Sequence, residues 1–204
     1  MSGGRLTSEH RSPYSATQAH SERVAELAVA LARECGWDPE SVSRLSEAAL
    51  VHDVGKIGVR DAVLLKPDRL SDAEFEEVRE HPSLGARMVE GLLSAEQVAW
   101  VRHHHEWWDG GGYPEGLAVN DIPEGTRILA LADAFDAMVT LRPYAAGLTI
   151  EGAVAEARRV AGRQFDPSVV ESLARLDEAG HLVRLMSATG HGQAVDEAEA
   201  PDTA

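Results

Sequence analysis

Five histidines and two aspartates sit at helix ends or on apolar helix faces rather than among surface polar residues: His20, His52-Asp53, His81, His104-His105 and Asp133. Taken singly, each histidine reads as a hydrogen-bonded core residue. As a set they point to metal, and imidazole and carboxylate without thiolate suit Fe, Mn, Ni, Co or Zn. So many ligands exceed one tetrahedral site. They serve two ions bridged by Asp53, an arrangement that holds a hydroxide nucleophile and clamps a phosphoryl oxygen. Lys56, three residues past Asp53, supplies a point charge for a pentavalent phosphorus or a leaving oxygen, although read alone it is a surface lysine. The run Trp107-Trp108-Asp109-Gly110-Gly111-Gly112-Tyr113-Pro114 joins freely bending glycines to three aromatics that suit a base or a partner surface, and plain turn chemistry also accounts for its Gly and Pro. Arg142-Pro143-Tyr144 offers a phosphate fork and a stacking ring, or an ordinary surface turn.

The elements that must position these groups read as helices throughout, because apolar residues recur at helical spacing and alternating runs are scarce. A first helix over about 17–35 puts His20, Val24, Leu27 and Leu31 on one face and stops at Gly36. Asp38-Pro39 caps a second, which runs through Leu45 and Ala49 to His52 and Asp53, where helix carbonyls favour a cation and Gly55 ends it. Ser71 with Glu74 and Ser94 with Gln97 form capping boxes for two further helices, the second carrying Val98, Val101 and His105. Between them His81-Pro82 opens a helix with Leu84, Met88 and Leu92 on its apolar face. A Gly-rich loop over 107–121 precedes a helix started by Pro123 whose apolar run, Ile128 to Leu141, is interrupted by Asp133 and Asp136. A buried carboxylate there must be paired, protonated or metal-bound. Two shorter helices follow, over about 150–161 and 167–176, the latter capped by Asp166.

The chain has 204 residues, 44% hydrophobic and 26% charged, a globular composition of one-domain size. Its 19 Lys and Arg against 34 Asp and Glu leave a net charge of −15, which opposes binding to duplex nucleic acid or an anionic membrane. An anionic ligand must therefore meet a local positive site, and bound metal supplies one. The single Cys35 excludes an internal disulfide framework and makes the cytoplasm the default setting. No signal peptide or bilayer-spanning run is legible.

The string His52-Asp53-Val54-Gly55-Lys56-Ile57-Gly58 resembles the HD-GYP family signature, and His104-His105-Glu106-Trp107-Trp108-Asp109-Gly110-Gly111-Gly112-Tyr113-Pro114 matches its second motif. His20-Ser21-Glu22-Arg23, His81-Pro82, Ala132-Asp133-Ala134-Phe135-Asp136 and Arg142-Pro143-Tyr144 agree in order, so the resemblance runs over about 14–176. It implies an all-α, HD-superfamily helical bundle and a metal-dependent phosphodiesterase that opens cyclic di-GMP to pGpG and, in some members, to GMP. One divalent ion, Fe or Mn foremost, would take His20, His52, Asp53 and Asp133. The second would take Asp53, His81, His104 and His105. Lys56 would contact the scissile phosphate and Arg142 the nucleotide, with Tyr144 beside it. The loop of Asp109, Gly110, Gly112, Tyr113 and Pro114 would border the site and engage GGDEF-type domains, and members of the family often pair as homodimers. The expected organisation is a flexible N-terminus over 1–13, the catalytic domain over 14–186 and an acidic tail over 187–204.

Two positions depart from the family pattern. Ala16 stands where members with three metals carry Glu, which predicts two metals, and Ala145 stands where some members carry a basic residue, which predicts an altered substrate grip. With about a dozen residues ahead of the core, regulatory input is expected through another protein or through the redox state of the metal. A partner-binding module that keeps its metals structurally, and a hydrolase of another phosphorylated nucleotide, are the alternative readings.

Overall fold

The computed structural model describes residues 13–140 and 147–188, with side chains over 18–140 and 147–187. Among the described residues ten α-helices follow one another: α1 Pro13–Glu34, α2 Pro39–Val51, α3 Asp61–Leu64, α4 Asp72–Arg79, α5 His81–Val89, α6 Ala95–His103, α7 Glu124–Val139, α8 Ile150–Val160, α9 Pro167–Glu178 and α10 His181–Ala188. Among the described residues β-structure is limited to isolated bridges, including Asp109 with Ala118. The all-α expectation therefore holds.

Helix α1 is the spine of the bundle and packs on α2, α7 and α9. Its Val24, Leu27 and Leu31 are fully buried with Leu45 of α2, Leu129 and Phe135 of α7 and Leu173 of α9. Burial of each such leucine contributes about 1.5–3 kcal/mol before entropy is counted. Trp100 of α6 is 1% exposed and its ring lies 5.8 Å from Trp37. The helix starts obey the sequence: Asp38 accepts from the amides of Glu40 and Ser41, both capping boxes close, and Asp166 accepts from Ser168 N. Glu74 also takes Lys66 Nζ at 2.7 Å, and this pair with the Ser71 amide pulls its pKa down to about 2.

Three expectations are corrected. Helix α2 stops at Val51, so Asp53 lies beyond the helix, at the head of a 3-10 turn over Val54–Gly58. Gly55 does not act as a helix stop. A Cβ on it would collide with the carbonyl oxygen of His81, so its role is to let the turn lie directly on the start of α5. The buried face of α5 is Gly85, Ala86 and Val89, whereas Met88 is 39% and Leu92 81% exposed. Close approach of two backbones requires a residue as small as Gly85, while Leu84 is half-buried against Gly58 and Leu92 lies beyond the end of the helix. Two helices were not legible in the sequence, α3 and α10. The latter is anchored by Leu182 and Met186, with Leu185 partly buried beside them.

Candidate metal centre

The ends of α2, α4 and α6 carry three of the histidines to one point. His52 follows the last residue of α2 and His104 the last residue of α6, while His81 begins α5 directly after α4. Each ring spends Nδ1–H on a carbonyl three residues back: His52 on Ala49, His81 on Val78 and His104 on Val101, all at 2.7 Å. That choice of acceptor sets the tautomer and leaves the Nε2 lone pairs facing inward.

There they meet Asp53, which is 5% exposed. Its Oδ1 lies 3.2 Å from His81 Nε2 and 3.9 Å from His104 Nε2, and its Oδ2 lies 3.5 Å from His52 Nε2 and 3.8 Å from His20 Nε2. His20 Nε2 is also 3.2 Å from Asp133 Oδ1 on α7. The carboxylate thus turns one oxygen toward the His81–His104 group and the other toward the His20–His52 group. His105 joins the first group, with ligand atoms of His81, His104 and His105 all within 4.8 Å of one another, as are those of His20, His52 and Asp133. All seven residues expected at a metal centre are therefore brought together.

Buried acceptor atoms facing each other repel unless a cation lies between them. His52 Nε2, His81 Nε2, His104 Nε2 and Asp53 Oδ1 are buried without a hydrogen-bond partner, so the donor set fits divalent metal. The titration behaviour agrees. Burial alone would neutralise His20, but hydrogen bonds to Asp133 and Asp136 outweigh it and raise the ring's pKa to about 9. Burial pushes His105 down to about 4. Burial also works against the charge on Asp53, yet His52, His81 and Lys56 hold its carboxyl well below the usual range. In metal-stripped protein, imidazole resonances followed by NMR are expected to give midpoints near 9 for His20 and near 4 for His105. Because the His20 ring is raised above its ordinary 6.5, the stability it contributes is complete below pH 6.5 and is lost as pH rises through 9. Ordinary midpoints for both rings would contradict this geometry.

Lys56 is one-third exposed and donates to Asp53 Oδ2 from the mouth of the site. The second motif forms the opposite wall. Tyr113 lays its ring 4.9 Å from that of His105, and the guanidinium of Arg79 lies 4.9 Å above the tyrosine. Gly112 sits against the backbone of 105–107, where a Cβ would collide with Trp107 N. Asp109 accepts from Gly111 N at 2.9 Å, and Gly110 takes a left-handed φ of +84°. Each of the two tryptophans carries an arginine of this chain over one face, Arg163 on Trp107 and Arg127 on Trp108. Arg142, Tyr144 and Ala145 lie outside the described residues, as does the side chain of Ala16.

Three residues stood in the sequence motifs without an assigned role. Glu106, 2% exposed, accepts from the amides of Glu115, Gly116 and Leu117 and so ties the loop to the His104–His105 segment. Its place between two histidines and two tryptophans was the available signal. Asp136 and Arg23 were the others. Asp136 stands three residues after Asp133 and Arg23 three after His20, spacings that share a helix face and mark both as neighbours of the site. Glu106→Ala removes a charged acceptor from three amides, a loss of about 1.5–3 kcal/mol in the loop's closed state. Hydrogen exchange at residues 115–117 is expected to accelerate while the α1 core stays protected, and unchanged exchange would remove Glu106 from this role.

A helical bundle with paired His/Asp groups at converging helix ends defines an HD-type metal-site fold, and the chain belongs to the HD domain family, HD-GYP group, matching the HD domain over residues 6–169. It is 40% identical over 167 residues to a cyclic di-GMP phosphodiesterase of Thermotoga maritima, an alignment covering 79% of this chain and 45% of that protein. It is 39% identical over 166 residues to the cyclic di-GMP phosphodiesterase response regulator RpfG of Xanthomonas campestris pv. campestris, covering 78% and 43%. The chain thus spans less than half the length of these curated relatives. The crystal structure of a cyclic GMP-AMP specific phosphodiesterase of Vibrio cholerae shares the fold with a TM-score of 0.67 and 20% identity, over 88% of this chain and 50% of that one. Among the described residues no helix is long and apolar enough to cross a membrane.

Proposed function

We propose that this chain is a two-metal phosphodiesterase that opens a cyclic dinucleotide, cyclic di-GMP foremost, to the linear pGpG and onward to GMP. The observation that carries the reading is the set of buried, partnerless Nε2 atoms converging on both oxygens of Asp53. Support also comes from relatives that are named cyclic di-GMP phosphodiesterases. His20, His52, Asp53 and Asp133 would hold one ion, and Asp53, His81, His104 and His105 would hold the other, with Fe or Mn as the expected metals.

When bound, the ions supply a hydroxide nucleophile and neutralise the phosphoryl oxygens. The protein's own groups do the positioning. Nδ1 anchors fix three imidazoles before the substrate arrives, so no reorganisation is needed at the reacting phosphate. Lys56, one-third exposed and paired with Asp53 Oδ2, is the cation we assign to the scissile phosphate. Tyr113, packed against His105, shields that flank from water, and the loop of Asp109, Gly110, Gly112, Tyr113 and Pro114, with Asp109 exposed, is the face we assign to GGDEF-type partners.

The test is anaerobic purification, elemental analysis, and chromatography of the products formed from cyclic di-GMP, 3'3'-cGAMP and mononucleotides in the same sample. Two metals per chain with linear dinucleotide or GMP appearing is the expected result. Two metals with intact cyclic di-GMP but opened cGAMP moves the substrate to the hybrid dinucleotide. Full metal with no substrate opened would overturn the phosphodiesterase reading.

A further inference from the structure

The two groups of ligands are not backed alike. His52, His81 and His104 lean on neutral backbone carbonyls, whereas His20 alone among the five leans on a carboxylate: its Nδ1 lies 2.7 Å from Asp136 Oδ2. Asp136 is 1% exposed and touches no other imidazole in the centre. Its two oxygens are held in a fork by Arg23, with Nε on Oδ1 at 2.6 Å and Nη2 on Oδ2 at 3.0 Å. Arg23 is itself buried, at 8% exposure, and its Nη2 also reaches Thr140 Oγ1 at 3.4 Å. His20 and Arg23 lie one turn apart on α1, and Asp133 and Asp136 one turn apart on α7. Two helices therefore meet through a ladder in which Asp133 faces the metal side of His20 and Asp136 the far side. In contrast, His105 has its ring against His104 and Tyr113, with centroids 4.1 and 4.9 Å away, contacts that orient a ring without strengthening its donor nitrogen.

We propose that Asp136 and Arg23 are positioning residues that act through His20 and make the His20–His52–Asp133 group the tighter of two metal sites, so that the His81–His104–His105 group is the one that exchanges its ion. This rests on the two-metal reading above. The physical reason is that a carboxylate accepting Nδ1–H draws the proton toward itself and leaves Nε2 a better donor, while the bidentate arginine fixes the carboxylate so that the ring has one orientation. A carbonyl acceptor does the second of these but much less of the first.

The experiment is a Mn(II) titration of metal-stripped full chain, reading bound and free ion by EPR, on wild type, Asp136→Asn and His81→Ala. Wild type is expected to bind two ions in two affinity classes. Asp136→Asn keeps the volume and an acceptor oxygen but removes the charge. It is expected to weaken the tight class by about 10–100-fold and to leave the weak class unchanged. His81→Ala should do the converse, removing the weak class and sparing the tight one. A structural role alone would lower both classes together, and that result, or two unchanged classes in Asp136→Asn, would overturn the proposal. If Asp136→Asn fails to fold by circular dichroism, Arg23→Lys, which keeps the cation but loses the fork, is judged by the same criteria. Wild type that binds no manganese, iron or zinc would instead sink the two-metal reading beneath it.

Discussion

Asp53→Asn is expected to strip the centre of metal and to lower turnover of a cyclic dinucleotide by at least about three orders of magnitude, with little change in fold. Each oxygen of this carboxylate faces a different ligand group, Oδ1 toward His81 and Oδ2 toward His52. Asparagine preserves the volume but offers one oxygen and no charge, so at most one of the two ions would keep an oxygen from this position, a neutral and weaker one, and the bridge would be lost. Metals at such sites contribute several kcal/mol of charge stabilisation in the transition state, and each ~1.4 kcal/mol is a factor of ten in rate. The measurement is metal content beside product formation on the same sample, with thermal melts as the folding control. A variant that kept two ions and near-normal turnover would remove Asp53 from the bridging role. Loss of turnover with both ions retained would leave Asp53 acting on the substrate rather than on the metals.

Gly55→Ala is expected to cost at least about 3 kcal/mol of stability, at the upper end of overpacking effects, although it adds one methyl group. The added carbon would overlap the carbonyl oxygen of His81 and crowd the amide of Gly85, both backbone atoms that cannot rotate away. Relief requires α5 to move off the turn at 54–58, and His81 moves with it, away from Asp53. The variant should therefore lose the His81 side of the centre before the His20 side. Gly36→Ala is the comparison: its φ is +85° but nothing lies within 4 Å of the added carbon, so only the left-handed backbone is penalised, by about 1–2 kcal/mol. Chemical denaturation of the two variants decides the matter, and equal losses would show that the Gly55 contact is soft.

The same glycine marks a limit of the sequence reading. Capping residues and apolar spacing located α2, α4, α6 and α9 because those signals are local: Asp38, Ser71, Ser94 and Asp166 each bond amides within three residues. The seven candidate ligands were legible for a different reason, since charged or imidazole side chains on otherwise apolar faces need a partner. What escaped was set by packing between distant segments. Leu84, Met88 and Leu92 have helical spacing, yet α5 buries its small-residue face because a backbone lies there, and hydrophobicity does not report closeness of approach. Asp136 and Arg23 are separated by 113 residues, and their pairing depends on how α1 and α7 cross. Glu106 bonds amides nine to eleven residues away, in a loop whose path has no periodic signal.

The carbonyls that anchor His52, His81 and His104 belong to the last turns of α2, α4 and α6, so three helices direct their negative ends at one centre already lined with carboxylates. In a chain of net charge −15 this makes the pocket a place that draws cations and repels phosphates. Under the two-metal reading proposed above, the ions would have to arrive first and reverse the local sign, so metal-free protein is expected to bind a dinucleotide more weakly than metal-loaded protein, and equal affinities would contradict this.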